Sequence, residues 1–279
     1  MEAHREVITS VRGYPLGAVV GKFSRHHRTP RITNRCTGAA GRADSEINFV
    51  RRGTVNSVVR QEFNTMTTLL HLNASARGER SLSRKLSSNF VKNWLEVRPN
   101  DEVIEREIGR NPPPPVSEQW IAAAFTRPDE RSDQQRELLS LSDALIAEVE
   151  RADIIVLGTP MYNYGMPSSL KAWFDQVIRI NKTFSFDLAR GDYPLEPILT
   201  GKSLVILSSS GEFGFTAGGA RAHMNHLVPH IETCAFYLGI SSNDDIHHIG
   251  IEYQEFQDDR HRESIKSANA KIPLLIESL

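Results

Sequence analysis

Residues 158–175 read Gly158-Thr-Pro-Met-Tyr-Asn-Tyr-Gly-Met-Pro-Ser-Ser-Leu-Lys-Ala-Trp-Phe-Asp175, directly after the short apolar run Asp153-Ile-Ile-Val-Leu157. The run has the length and apolar character of a buried parallel strand, and Pro167 is well placed to open an amphipathic helix. Between them lies a polar, aromatic loop punctuated by Gly and Pro. In an open α/β sheet, ligands bind at the carboxyl ends of the strands. The contents of this loop suit a flat ring that needs hydrogen bonds: Met161, Tyr162 and Tyr164 offer apolar faces, and Asn163 offers an amide donor and acceptor.

Working outward, strand and helix patterns alternate from Met66 to the last residue. Strands are expected at 67–72, 102–108, 153–158, 203–208 and 246–251. Helices are expected at about 81–97, with Leu82, Leu86, Phe90, Trp94 and Leu95 on one face, and at 133–151, with Leu138, Leu141, Leu145 and Val149 on the buried face. Further helices are expected at about 167–180, 218–238 and 257–278, the last containing Pro273. Trp120–Phe125 suits a short helical turn, and 181–200 reads as a looser stretch. Five strands alternating with helices imply a doubly wound parallel sheet covered on both faces. The order 2-1-3-4-5 would put a ligand crevice between the ends of strands 1 and 3.

A second candidate loop leaves strand 1 as Asn73-Ala-Ser-Ala-Arg-Gly-Glu-Arg-Ser-Leu-Ser83 and enters the first helix. Serine hydroxyls and the free N–H groups of a helix N-terminus make a phosphate cradle. Ser75, Ser81 and Ser83 are the candidates, with Arg77 and Arg80 able to screen the charge. Helix capping alone explains any single serine equally well. The loop has neither the Gly-x-Gly-x-x-Gly of a dinucleotide fold nor a Walker lysine, which favours a monophosphate. A third loop, Ser208-Ser-Ser-Gly-Glu-Phe-Gly-Phe-Thr-Ala-Gly-Gly219, leaves strand 4. Its small residues would let backbone N–H groups approach a ligand edge.

These stretches resemble the FMN-dependent NADH:quinone oxidoreductases, the azoreductase family of the flavodoxin-like fold. The resemblance spans nearly all of residues 66–279 and none of 1–65. It rests most on Pro-Met-Tyr-Asn-Tyr-Gly-x-Pro-x-x-Leu-Lys and on Ser-x-Ser at the opening of the first helix. It implies FMN contacts from Ser75, Ser81, Leu82 and Ser83, from Met161, Tyr162, Asn163 and Tyr164, and from Ser208, Ser209, Ser210 and Gly211. The family's third loop usually carries an Arg and paired glycines, so the backbone contacts would survive here without the Arg contact. Phe213 and Phe215 become candidates for the substrate side. Also implied are NADH or NADPH as electron donor, a quinone or aromatic azo compound as acceptor, and a homodimer with the site at its interface. The cofactor supplies the redox chemistry, so no catalytic side chain is required. A flavodoxin-type electron carrier is the alternative, though carriers are usually smaller and strongly acidic.

Charge divides the chain of 279 residues unevenly. Residues 1–65 hold eleven Lys/Arg, ten of them Arg, against five Asp/Glu, a net of +6; the remaining 214 hold 22 basic and 29 acidic residues, a net of −7. The first piece lacks a pattern able to bury a core. A nucleic-acid arm, an organelle transit peptide and a disordered extension ahead of a start at Met66 all fit it. The extension is favoured, because Met66 directly precedes the first strand. Few aromatic residues there suit base stacking, so no nucleic-acid partner is expected. Two cysteines, Cys36 and Cys234, are too few for a disulfide framework and fit a reducing, cytoplasmic setting. No apolar run is long enough for a membrane span.

Two motifs are rejected. Gly201-Lys-Ser203 resembles a P-loop tail, but position 196 is Glu and the segment precedes a strand. His223, His226, His230 and Cys234, if on one straight helix, would extend over about 16 Å and could not meet at one metal ion. A chain begun at Met66 should therefore keep both its fold and its capacity for flavin. Aggregation of that truncation, or loss of flavin from it, would overturn the division at residue 66.

Overall fold

A computed structural model of the chain describes residues 66–279. The expectations for residues 1–65, including Cys36, lie outside the described residues. The central sheet comprises β1 (Thr68–Asn73), β2 (Glu102–Glu107), β3 (Ile154–Pro160), β6 (Ser203–Ser209) and β7 (Ile246–Ile251), all parallel, in the order β2-β1-β3-β6-β7. That is the expected 2-1-3-4-5 order once the large-sheet strands are counted alone. Every residue of β1 and β3 is buried, as central strands covered on both faces must be. The edge strand β2, Glu-Val-Ile-Glu-Arg-Glu, is only half-buried.

Each face of the sheet has its own apolar core. On one side α1 (Leu82–Val97) and α6 (Asp259–Ser278) cover Val156, Val205, Leu207 and Ile249. Leu86, Phe90 and Trp94 of α1 fall one turn apart and are essentially inaccessible. The Trp94 indole N–H still finds a partner, donating to Asp101 at 2.9 Å. On the other side α3 (Asp133–Arg151), α4 (Ser168–Val177) and α5 (Val228–Ala235) cover Leu70, Leu72, Ile155 and Ile206. A capping box formed by Ser132 and Gln135 starts α3. The Lys202 ammonium lies against the other end of α3, donating to the Glu150 carbonyl at 3.1 Å and to that of Ala152. This is a helix C-terminal cation, not a phosphate-binding lysine. Among the described residues no helix is long and apolar enough to cross a membrane.

Four expectations change in detail. Leu138 is exposed, and Leu139 takes the buried position on α3 with Leu145, Ile146 and Val149. The segment at Trp120–Phe125 is a full helix, α2 (Glu118–Phe125), capped by Ser117. Within 181–200 a small antiparallel pair forms, β4 (Phe184–Phe186) with β5 (Leu195–Pro197); three-residue strands are too short to show an alternating pattern. The expected helix 218–238 is broken into a 3-10 turn at Ala222–Met224, the short α5 and a further turn at Phe236–Leu238. Here the Asn225 side chain accepts from the Leu227 and Val228 N–H groups at 3.1 and 3.2 Å, and Pro229 sits in the first turn of α5. His223, His226, His230 and Cys234 therefore do not share one helix. By contrast, α6 runs through Pro273 without ending.

Glycine is required where the ends of β1 and β2 meet. A Cβ on Gly109 would lie 2.1 Å from the Ser75 carbonyl oxygen, which is fixed backbone. The Gly109 N–H donates to the Asn73 carbonyl at 2.8 Å, which closes the two strand ends together. Gly109→Ala should accordingly cost about 1–3 kcal/mol of stability, the usual scale of overpacking a tight contact. A urea melt with an unchanged midpoint would show that these loops separate freely.

Candidate functional site

Three loops converge at the carboxyl ends of β1, β3 and β6. The first is held from behind. Arg84, in the first turn of α1, donates to both carboxylate oxygens of Glu107, at 3.0 Å to Oε1, to the Ser75 carbonyl at 2.9 Å, and to the Arg77 carbonyl at 3.3 Å. A cation at a helix N-terminus opposes the dipole, so the Glu107 partner is what makes it tolerable. Burial pushes the Glu107 carboxyl up, but hydrogen bonds from Arg84 and from the Arg110 backbone outweigh it and hold the group below its ordinary value. Beneath the loop, His71 bridges Glu105 at 3.0 Å and Ser87 at 2.9 Å, and Ser87 donates to Asn73 at 3.2 Å. Gly158 of β3 lies against this network: a Cβ there would stand 2.4 Å from the Ser87 hydroxyl.

On that support Ser81 caps α1, its hydroxyl accepting from the Arg84 N–H at 3.3 Å. The Leu82 and Ser83 N–H groups, in the same first turn, have no acceptor among the described residues. Two free donors, the Ser75 and Ser81 hydroxyls and the positive end of a 16-residue helix make an anion cradle. Ser83 is fully buried, and its hydroxyl lies 3.3 Å from that of Ser81, so it supports the cradle from below.

The second loop is a tight turn. Tyr162 and Gly165 exchange both backbone hydrogen bonds at 3.0 Å, and the two residues between them are left-handed, Asn163 at φ 48° and Tyr164 at φ 67°. Positive φ at both central positions is the type I′ pattern, which asparagine tolerates and tyrosine does not favour. The Tyr164 hydroxyl donates to Glu212 at 3.2 Å, and its ring lies 6.2 Å from that of Phe215. The second and third loops are thereby latched together. The Asn163 side chain is exposed at the tip of the turn.

The third loop leaves β6 with Ser208, Ser209 and Ser210 all buried. The Ser210 N–H is taken by the Ile251 carbonyl at 2.9 Å, whereas the Gly211 N–H has no acceptor among the described residues. A Cβ on Gly211 would lie 2.6 Å from Cγ of Glu255, so glycine is what lets the Glu255 side chain pack here. Phe213 stacks on Tyr253 at 4.5 Å under the Arg221 guanidinium.

A cleft of about 100 Å³, open to solvent, runs between the loops. It brings together Ser75, Ser81, Leu82, Met161, Tyr162, Ser209 and Gly211 from the sequence-based candidates. Ser83 and the exposed Asn163 and Tyr164 do not line it, while Ser208, Ser210 and Phe215 border a separate hollow. Pro160, Gln254 and Glu255 also line the cleft and escaped sequence reading, as did Arg84. An arginine in the first turn of a helix was the one available signal for Arg84. Gln254 and Glu255 follow β7 with no motif of their own. Among the described residues no cluster of three or more His, Cys, Asp or Glu has the placement to hold a metal ion.

A family model described as a flavodoxin-like fold matches residues 67–272. The FMN-dependent NADH:quinone oxidoreductase 2 of Colwellia psychrerythraea is 52% identical over 221 residues, 77% of this chain and all of the relative. The protein of the same name from Idiomarina loihiensis is 50% identical, over 77% of this chain and 91% of the relative. Among solved structures, an azoreductase from Bacillus anthracis superposes with a TM-score of 0.67 at 22% identity, covering 77% of this chain and all of that one. That likeness shows the fold, and the sequence relatives show more: the chain belongs to the flavodoxin-like family of FMN-dependent NADH:quinone oxidoreductases.

Proposed function

We propose that the chain binds FMN in the cleft between its three loops and passes a hydride from NADH or NADPH to a quinone, and that it also reductively cleaves aromatic azo bonds. The observation that carries this reading is the pairing of two features in one cleft. At one end is the free first-turn N–H group of Leu82 beside two serine hydroxyls, with that of Ser83 just beneath; at the other are the apolar faces of Met161 and Tyr162 beside the free Gly211 N–H. A phosphate fits the first and a flat ring with polar edges fits the second. The relatives' names carry the same cofactor and reaction.

Bound FMN supplies the two-electron chemistry. The residues of the chain hold and orient it. Ser75, Ser81 and the α1 N-terminus fix the phosphate, with Arg77 beside them to screen its charge. Met161 and Tyr162 would hold the face of the ring, and the Gly211 N–H would be a donor to a ring edge, stabilising the negative charge that reduction brings. Glu255 is the one carboxylate in the lining; its exposed side chain lies over Gly211 and must swing aside for an electron-rich ring edge to reach the Gly211 N–H.

Homodimer formation and a cytoplasmic setting belong to the same reading. Phe186, Leu188 and Tyr193 on the β4–β5 hairpin are 49%, 74% and 85% exposed, apolar surface suited to a second copy. Sedimentation of the purified protein at twice the chain mass is the expected result.

Two measurements test the site. The latched loops would cover one face of a bound ring, so donor and acceptor would take turns on the other, and double-reciprocal plots at several fixed acceptor levels should be parallel. Intersecting lines would mean that both bind together. Asn163 separates two roles. Asn163→Ala should destabilise the turn by about 1 kcal/mol, and Asn163→Gly should restore it. If the amide itself pairs with the ring, both variants weaken FMN binding, by about 1–3 kcal/mol. FMN affinity that follows stability alone would confine Asn163 to the turn.

A further inference from the structure

Successive residues of a strand point to opposite sides, and the end of β6 shows it plainly. Ser209 and Gly211 line the cleft, while Ser208 and Ser210 line a second hollow on the other side, of about 290 Å³ and open to solvent. Its floor is the Ser208 hydroxyl, 2.8 Å from Nε2 of His248 on β7. Phe215, Leu227, Val228 and Ile251 give it apolar walls, each less than a tenth exposed. Ser267 and Lys271 of α6 stand at its mouth, both exposed.

The charges in this hollow are few. Lys271 makes no ion pair among the described residues. Glu252 also borders the space, but its Oε1 already accepts from the Gly214 and Phe215 N–H groups at 3.0 and 3.3 Å. Desolvation by the walls, and then the Lys271 charge, push the His248 imidazole down to about 4, although the ring still opens onto the hollow. It is uncharged at neutral pH, which leaves Lys271 as the one cation. One free cation and one engaged carboxylate suit a monoanion and disfavour a phosphate dianion. The apolar walls call for a body of one or two rings, and a volume of about 290 Å³ lies at the lower edge of the range of small-molecule sites.

We propose that this second hollow is a binding site for a small aromatic monocarboxylate, its carboxylate held by Lys271 and Ser267 and its ring against Phe215, Leu227 and Val228. It is distinct from the flavin cleft, with which it shares only Met161. The ligand enters past α6 and Thr216, and reaches the back of the loop that carries Ser209 and Gly211.

Calorimetric titration of the FMN-loaded protein with 2-naphthoate tests the site. One naphthoate should bind per chain. Affinity should fall about tenfold in Lys271→Ala, the scale of one lost charge-assisted hydrogen bond, and return in Lys271→Arg. Thr216→Trp, a change at an exposed position on the rim, should block entry. Saturating menadione, a quinone probe for the flavin face, should leave the titration unchanged. Naphthoate binding that disappears with menadione would put the ligand on the flavin face and overturn the proposal. So would an absence of binding, or equal affinity in the wild type and in both Lys271→Ala and Thr216→Trp.

Discussion

The site depends on Arg84 and the two carboxylate oxygens of Glu107 behind it. This contact joins the start of α1 to the end of β2, and through the Ser75 and Arg77 carbonyls it also sets the path of the serine loop. An arginine with no acid beside it would be repelled by the positive end of the helix. Paired with Glu107, its charge is neutralised locally while its geometry still holds the loop. Gly109 completes the arrangement by letting the end of β2 approach the Ser75 backbone. The cradle is thus a consequence of strand packing more than of its serines.

Around β6 the same economy of backbone appears twice. The register with β3 and β7 fixes which serines face which side. Ser209 and Gly211 open onto the cleft, and the Met161 N–H ties the second loop to the third by donating to the Ser209 carbonyl at 2.8 Å. A shift of one residue would exchange the two sets of hydroxyls and undo both hollows at once.

The elements that the sequence disclosed best were those with a long period and a clear cap. The helix from 133 to 151 was legible from its apolar repeat, although Leu138 and Leu139 are adjacent and the repeat alone did not say which turns inward. Where short-range chemistry competes with periodicity, the pattern misled. Asn225 and Pro229 cut a helix that the apolar spacing of 218–238 suggested, and Pro229 was visible beforehand as the warning. The site followed the same logic. Motif residues on the loops were legible, because ligand-facing chemistry is written locally. Arg84, Gln254 and Glu255 act through contacts with residues distant in sequence, and no single stretch displays those.

The turn at Asn163 and Tyr164 carries a wider consequence. Two adjacent side-chain-bearing residues in left-handed conformations are unfavourable in an unfolded chain, where they would rarely occur together. They persist because the Tyr162–Gly165 bonds, the His226 N–H on the Tyr164 carbonyl and the Tyr164–Glu212 contact over-determine them. The ordering cost of the turn is therefore met when the chain folds and not when a ligand arrives. A turn preorganised in this way adds little conformational entropy loss to binding, so a planar ligand meets a surface already in its final shape.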